Sequence, residues 1–211
     1  MSLGAPLGDY ECYDYWLSNF VDDFVEQYNT TVVVSAGNSG PDSNTIGTPG
    51  CVENVITVGA TGRLDENFNV APYSSRGPVD YSNIIKPDIV APGGNPSFAQ
   101  VIDGHLYFFP EGIASVETST NMVYTGVLNQ YLTNRYQRMS GTSMAAPHVT
   151  GTVALMLNEH PSLTPAEIKN ILHDTADFLE GQNAPNYDAG YGFLDTYAAV
   201  QMASIWPEED E

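Results

Sequence analysis

Gly141-Thr142-Ser143-Met144-Ala145-Ala146-Pro147-His148 is the stretch on which the fold turns. It sets one serine between a glycine turn and a run of small apolar residues. Gly141 has access to backbone angles closed to residues that carry a Cβ. From Ser143 to about Glu159 the chain is rich in Ala, Gly, Val, Leu and Met, with no charge before its last turn. That pattern predicts a buried helix, because a helix apolar on all sides has no face to give to water. A hydroxyl at its start stands among unpaired backbone N–H groups, at the positive end of the helix dipole. Such a place suits a nucleophile and the negative charge formed when it attacks a carbonyl. A serine after Gly-x before a helix also serves as an ordinary N-cap.

Working outward, Thr31-Val32-Val33-Val34-Ser35-Ala36-Gly37-Asn38-Ser39-Gly40 is a β-branched run closed by a Gly/Asn/Ser cluster. It predicts a buried strand at 31–36 followed by a loop. Before it, residues 13–28 read as an amphipathic helix. Tyr13, Trp16, Leu17, Phe20, Val21, Phe24, Val25 and Tyr28 form one apolar face, and Asp14, Ser18, Asp22, Asp23 and Glu26 the other. Helix, strand and then a polar loop at the strand's C-terminal end is how doubly wound sheets build sites. Residues 55–60 predict the next strand and 88–91 a shorter one. Thr164-Pro165-Ala166-Glu167 is a capping box with proline at the first helical position, opening a helix to about Asp174. A last helix spans about 195–204. The expected fold is α/β, a doubly wound, mostly parallel sheet with flanking helices.

The octapeptide as a whole resembles the nucleophile signature of the subtilisin-like serine proteases (subtilases), including the proline inside the helix and the histidine after it. The Gly-x-Ser-x-Gly elbow of α/β-hydrolases fits less well, since Ala145 stands where that elbow has glycine. The strand at 31–36 and its loop resemble the subtilase segment that ends at the oxyanion-hole asparagine, which falls on Asn38. Gly47-Thr48-Pro49-Gly50, Asn54 to Ala60, Tyr73 to Pro78 and Lys86 to Gly93 resemble further blocks of that family, and Ser2-Leu3-Gly4 resembles a segment lining its substrate cleft. The matches run from about residue 2 to residue 202 in the family's order. The resemblance implies a serine endopeptidase acting on protein or peptide substrates, with Ser143 as nucleophile and Asn38 as oxyanion donor. It places Ser2, Leu3, Gly4, Ala36, Gly37 and Gly141 along the substrate-binding edge and pocket. His148 is structural on this reading.

A serine hydroxyl is a weak nucleophile without a base, and the base needs an orienting carboxylate. The family takes these from an Asp-Ser/Thr-Gly and a His-Gly motif, both upstream of its Ser-Leu-Gly segment. Neither occurs here; Asp42-Ser43-Asn44 lacks the glycine, and none of His105, His148, His160 and His173 begins a His-Gly pair. His105, His160 and His173 read as surface or capping residues. Residues 1–206 are therefore expected to be the C-terminal portion of a subtilase catalytic domain. The N-terminal strands, the base and its acid would lie in an upstream half that acts as its partner. Alone, the chain is expected to be nearly inert and to expose a sheet edge. The alternatives are a non-catalytic subtilase-like binding module and an unrelated acyl-transferring hydrolase sharing only the serine turn.

Composition narrows the classes further. The 211 residues carry 26 acidic against 6 basic side chains, a net charge of −20. Such a surface argues against nucleic acid and anionic membranes, both of which require basic patches. It favours an extracellular, salt-tolerant or acid-tolerant enzyme, and the expected location is extracellular or at the cell surface. No apolar run approaches membrane-spanning length. Cys12 and Cys51 form no metal pattern and are open to one disulfide or to two thiols. The chemistry requires no cofactor. Calcium is a habit of the family, and Gly50, Val52 and Val55 offer backbone carbonyls to it, but carbonyls alone are a poor signal; no metal ligand is assigned. The stretch 93–139 exceeds the compact family pattern and holds clusters such as Leu106-Tyr107-Phe108-Phe109 and Met122-Val123-Tyr124. It reads as an inserted hairpin or extended loop that covers a sheet edge or walls the cleft. Residues 207–211 read as an acidic tail or linker start.

Overall fold

The computed structural model describes residues 1–8, 10–62, 69–79, 84–95, 98–102, 105–109, 112–116, 136–179 and 183–207. Met122-Val123-Tyr124 and the acidic residues after Pro207 lie outside them. Three strands form the central sheet: β1 (Val33–Ser35), β2 (Ile56–Thr61) and β3 (Ile89–Pro92). All pair in parallel in the order β1-β2-β3, with Val34 beside Thr57 and Gly59 beside Val90. Every residue of β1 and β2 is buried. That explains the unbroken β-branched run, because a strand covered on both faces has no polar side to alternate.

The two faces carry different helices. Val33, Ile56, Val58, Ile89 and Ala91 face a core built on α2 (Thr142–Glu159), with α3 (Pro165–Asp174) and α4 (Thr196–Ser204) joining it. Val34 and Ala36 face α1 (Trp16–Tyr28), against Val21, Val25, Val52 and Val55. Adjacent valines thus point to opposite layers, as the two-residue strand period requires. The capping box opens α3 as expected: the Glu167 N–H donates to Thr164 Oγ1, while the Thr164 N–H and hydroxyl donate to Glu167 Oε2, both at 2.7 Å. Those donors hold the Glu167 carboxyl below its usual range. Asp195 caps α4 through the Ala198 N–H at 2.9 Å.

Two expectations are corrected. The apolar face of α1 is split. Val21 and Val25 turn inward together with Ser18, while Trp16 is 75% exposed and Phe20, Phe24 and Tyr28 follow it along the surface in ring contact. Ser18, expected on the polar face, is fully buried. An apolar arc this wide exceeds what one sheet face can cover, and the buried edge is the one that fits the narrow valine layer. The helix also starts at Trp16 instead of 13, after a 3-10 turn at Cys12–Asp14. The second correction concerns α2: its inner face is buried, but Pro147, His148, Gly151, Ala154 and Leu155 are exposed.

Cys12 and Cys51 form a disulfide, buried behind α1. Within 93–139, β4 (Phe98–Ile102) pairs antiparallel with β5 (His105–Phe109), and β6 (Ile113–Val116) pairs antiparallel with β7 (Tyr136–Met139). A buried charge cluster ties β3 to α3. Lys86 Nζ lies 2.7 Å from Asp88 Oδ2 and donates to Val55 O at 2.8 Å. Lys169 Nζ and His173 Nε2 lie 3.0 and 3.3 Å from Asp88 Oδ1. Burial pushes the Asp88 carboxyl up, but Lys86, Lys169 and the His173 contact outweigh it and hold it well below the usual carboxylate range. Burial pushes the Lys86 ammonium down, with Asp88 opposing. His173, read as a surface or capping residue, sits in the last turn of α3 but is not at the surface: it is stacked on Tyr191 at 3.7 Å within this cluster; a charge partner in the interior draws in a polar side chain that the sequence alone shows only as helical.

Candidate active site

The site begins where the end of β3 meets the start of α2. Gly93 N–H donates to Thr61 O and Gly141 N–H to Gly93 O, both at 3.0 Å, so the end of the sheet fixes where α2 starts. Tyr73 braces the same corner by donating to Gly94 O at 2.6 Å; burial pushes its hydroxyl up to about 12. Gly141 has φ 152°, and a Cβ there would sit 3.3 Å from Asn38 Nδ2. Both the backbone angle and the close approach call for glycine.

Ser143 occupies the second position of α2, where its own N–H has no partner inside the helix. Its Oγ lies 3.4 Å from Ser2 O, and Ser2 Oγ donates to Ser143 O at 3.1 Å. Pro147 explains the second contact. Having no N–H, it leaves the carbonyl four residues back without its helical donor, and that carbonyl belongs to Ser143. Ser2 fills the place. The first wall of the site is thus bonded to Ser143.

Asn38 stands at the end of β1. Its Oδ1 accepts from Thr142 N–H at 2.9 Å and from Thr142 Oγ1 at 3.0 Å. Thr142 Oγ1 in turn accepts from Gly37 N–H at 3.2 Å. With Oδ1 taken twice, the carboxamide is locked, and its Nδ2 is the remaining donor. Asn38, Ser143, Ser2, Leu3, Gly4, Ala36 and Gly37 line one cavity of about 270 Å³, together with Gly47 and Thr48. Among the described residues no ionisable side chain lines it. Gly141 lies behind Asn38 and does not line the cavity.

A second cavity of about 360 Å³ opens beside Ser143, between β6, Met139 and the first turns of α2. The two cavities share Ser143 alone among their lining residues. His148 lies in the second one, with Nδ1 2.9 Å from Met144 O, one turn beyond the serine. Among the described residues no histidine or carboxylate hydrogen-bonds Ser143 Oγ. Two of the three carbonyls considered for calcium are already engaged: Val55 O accepts from both Lys86 and Lys169 Nζ, and Gly50 O accepts from Thr57 Oγ1 at 2.6 Å. A cation beside Val55 would face two ammonium groups. Among the described residues no group of three His, Cys, Asp or Glu side chains is arranged to hold a metal, and no helix is long and apolar enough to cross a membrane.

Thr142 and Thr48 are among the residues of the site that escape a reading of the sequence. Thr142 carries the lock on Asn38, although it reads as filler between glycine and serine. Thr48 lines the cavity from a turn. Only the spacing of Pro147 from Ser143 offered a signal, since a proline at i+4 frees a known carbonyl.

The family model described as the subtilase family matches residues 1–192. Serine protease AprX of Bacillus subtilis is 38% identical over 200 residues, which span 90% of this chain and 40% of AprX. Subtilisin DY of Bacillus licheniformis is 32% identical, over 95% of this chain and 56% of its own length. Among solved structures, a Pseudoalteromonas arctica protease superposes with a TM-score of 0.69 at 32% identity, over 97% of this chain and 50% of that one. Fervidolysin from Fervidobacterium pennivorans superposes with a TM-score of 0.66 at 30% identity, over 89% of this chain and 24% of that one. The chain thus spans about half or less of the length of these relatives.

Proposed function

The chain belongs to the subtilase family, and on that premise we propose that it is the nucleophile-bearing part of a serine endopeptidase. Ser143 Oγ attacks the carbonyl of a peptide bond. Its proton passes to a histidine supplied by sequence upstream of Ser2, which an upstream aspartate orients, and then to the leaving amine. The charge developing on the carbonyl oxygen is met by the Ser143 N–H and by Asn38 Nδ2. Donors aimed in advance at that oxygen act on the transition state more than on the flat substrate. Ser2, Leu3 and Gly4 with Ala36 and Gly37 bind the substrate backbone and the side chain on its acyl side, and Gly141 keeps room for Asn38.

The observation that carries this reading is the locked carboxamide. An asparagine needed only for a turn has no use for two donors on its Oδ1; with Oδ1 so taken, Nδ2 is the donor left on a residue that shares a cavity with Ser143. The exposed face of α2 supports the upstream half as partner, because a helix apolar all round is normally covered all round. The β6 strand and Met139 form the cleft wall on the other side of Ser143. The disulfide and the acidic surface favour an oxidising, extracellular setting.

The test is hydrolysis of an unfolded protein substrate by the full-length protein and its Ser143→Ala variant, with products read by mass spectrometry. Loss of all cleavage in the variant is the expected result. Substantial cleavage by the variant rejects the assignment.

A further inference from the structure

Behind the acyl-side cavity lies a polar hub that the proposed chemistry does not use. Ser18 of α1 is fully buried, and its Oγ lies 2.7 Å from Thr48 Oγ1. The same oxygen lies 3.6 and 3.7 Å from the sulfurs of Cys12 and Cys51. A buried hydroxyl in the first turn of a helix costs stability unless it is bonded, so its place against Thr48 and the disulfide demands a reason.

The cavity's construction supplies one. Its first wall, residues 2–6, is exposed throughout and has little packing of its own. Its second wall is the turn at Gly47-Thr48. The two meet at a single antiparallel bridge, with Ala5 N–H on Thr48 O at 3.0 Å and Thr48 N–H on Ala5 O at 2.9 Å. The contact is backbone on backbone: a Cβ on Gly47 would stand 2.1 Å from Ala5 O. Beyond the bridge, each wall runs directly into one half of the disulfide, the first to Cys12 and the second to Cys51. Ser18 then binds Thr48 to that disulfide from inside.

We propose that the Cys12–Cys51 disulfide and Ser18 are positioning residues that hold the walls of the acyl-side pocket at a set spacing, and so determine its selectivity for the side chain before the scissile bond. This rests on the peptidase reading above. The disulfide shortens the loop that the Ala5–Thr48 bridge closes about fourfold. With a closure cost scaling as three-halves of the logarithm of length, that favours the closed pocket by at most about eightfold. Ser18 adds one hydrogen bond at the same point. Neither element touches Ser143 or Asn38, so both act on substrate binding and leave the chemical step alone.

The experiment uses the full-length protein and peptide p-nitroanilides that differ only in the residue before the scissile bond, Phe, Leu or Ala. Wild type is compared with a Cys12→Ala/Cys51→Ala variant and with Ser18→Ala, whose disulfide is verified intact by thiol titration. The disulfide-free variant is expected to raise KM for the Phe and Leu substrates by about twofold or more, with about eightfold as the limit, with kcat within about twofold and with large-over-small discrimination reduced. Ser18→Ala is expected to move KM in the same direction by about threefold, the effect of one modest hydrogen bond. An active wild type with unchanged KM and unchanged discrimination in both variants overturns the proposal and leaves the disulfide a simple staple. Should the cysteine pair fail to fold, Ser18→Ala decides alone. A wild type that cleaves none of the substrates, or a Ser143→Ala variant that cleaves them equally, overturns the peptidase reading itself.

Discussion

Replacing Thr142 by valine removes one oxygen and keeps the side-chain shape, so it isolates the lock on Asn38. The hydroxyl makes two contacts: it donates to Asn38 Oδ1 at 3.0 Å and accepts the Gly37 N–H at 3.2 Å. Only the Thr142 N–H at 2.9 Å then remains on Oδ1. The two lost bonds, with Gly37 N–H left unpaired in a partly buried place, destabilise the fold by about 2 kcal/mol. The effect on turnover follows from orientation. A carboxamide held once instead of twice loses about 1 kcal/mol of preorganisation, which lowers kcat about five- to tenfold. Complete loss of such a donor sets the ceiling at about 10²–10³, a magnitude that comes from subtilisin itself. KM should stay within about twofold, because the donor acts on the oxyanion and hardly on the ground state. Steady-state kinetics on a p-nitroanilide, with thermal melting of the same samples, measure both quantities. Thr142 acts through Asn38, so Thr142→Val added to Asn38→Ala should cost no further activity. A kcat within twofold of wild type in Thr142→Val, or a fully additive double variant, refutes the reasoning.

Three further outcomes follow from the buried cluster and the disulfide. Lys86→Met removes the ammonium nearest Asp88 in a fully buried site, and urea unfolding should show a loss of about 3 kcal/mol. The Asp88 carboxyl is depressed in the folded state, so its contribution is complete above the unfolded value of about 4 and is lost as pH falls below that. The melting-temperature gap between wild type and Asp88→Asn should therefore shrink between pH 5 and pH 3; a gap that is constant over that range contradicts the ion-pair account. Breaking the disulfide, whose cysteines are 39 residues apart, should cost about 4 kcal/mol on the loop-entropy estimate, read as a fall in the denaturation midpoint under reductant.

What was legible in the sequence was what local chemistry dictates. The valine run, the Thr164 capping box and the octapeptide each specify a strand, a helix start and a serine turn with little help from elsewhere. The helix at 13–28 was legible as a helix but not in its orientation, because eight apolar residues offered two arcs and only the sheet selects one. His173 reads as a surface or capping residue for the same reason: its inward place at the end of α3 depends on Asp88, which lies far away in the chain. Thr142 and Thr48 act through contacts made only once β1, α2 and the 47–48 turn come together. Composition permits such contacts without indicating them. The exposed face of α2 is the instructive inverse. There the sequence expects cover, and the described residues do not supply it.

The central claim is that Ser143 is the nucleophile of a peptidase whose base comes from upstream. Treating the full-length protein with a fluorophosphonate probe and mapping the adduct by peptide mass spectrometry tests it most directly. The account predicts a single adduct on Ser143, loss of peptide hydrolysis in step with labelling, and little labelling of residues 1–211 on their own. An adduct on another residue, or hydrolysis that continues with Ser143 fully modified, contradicts it.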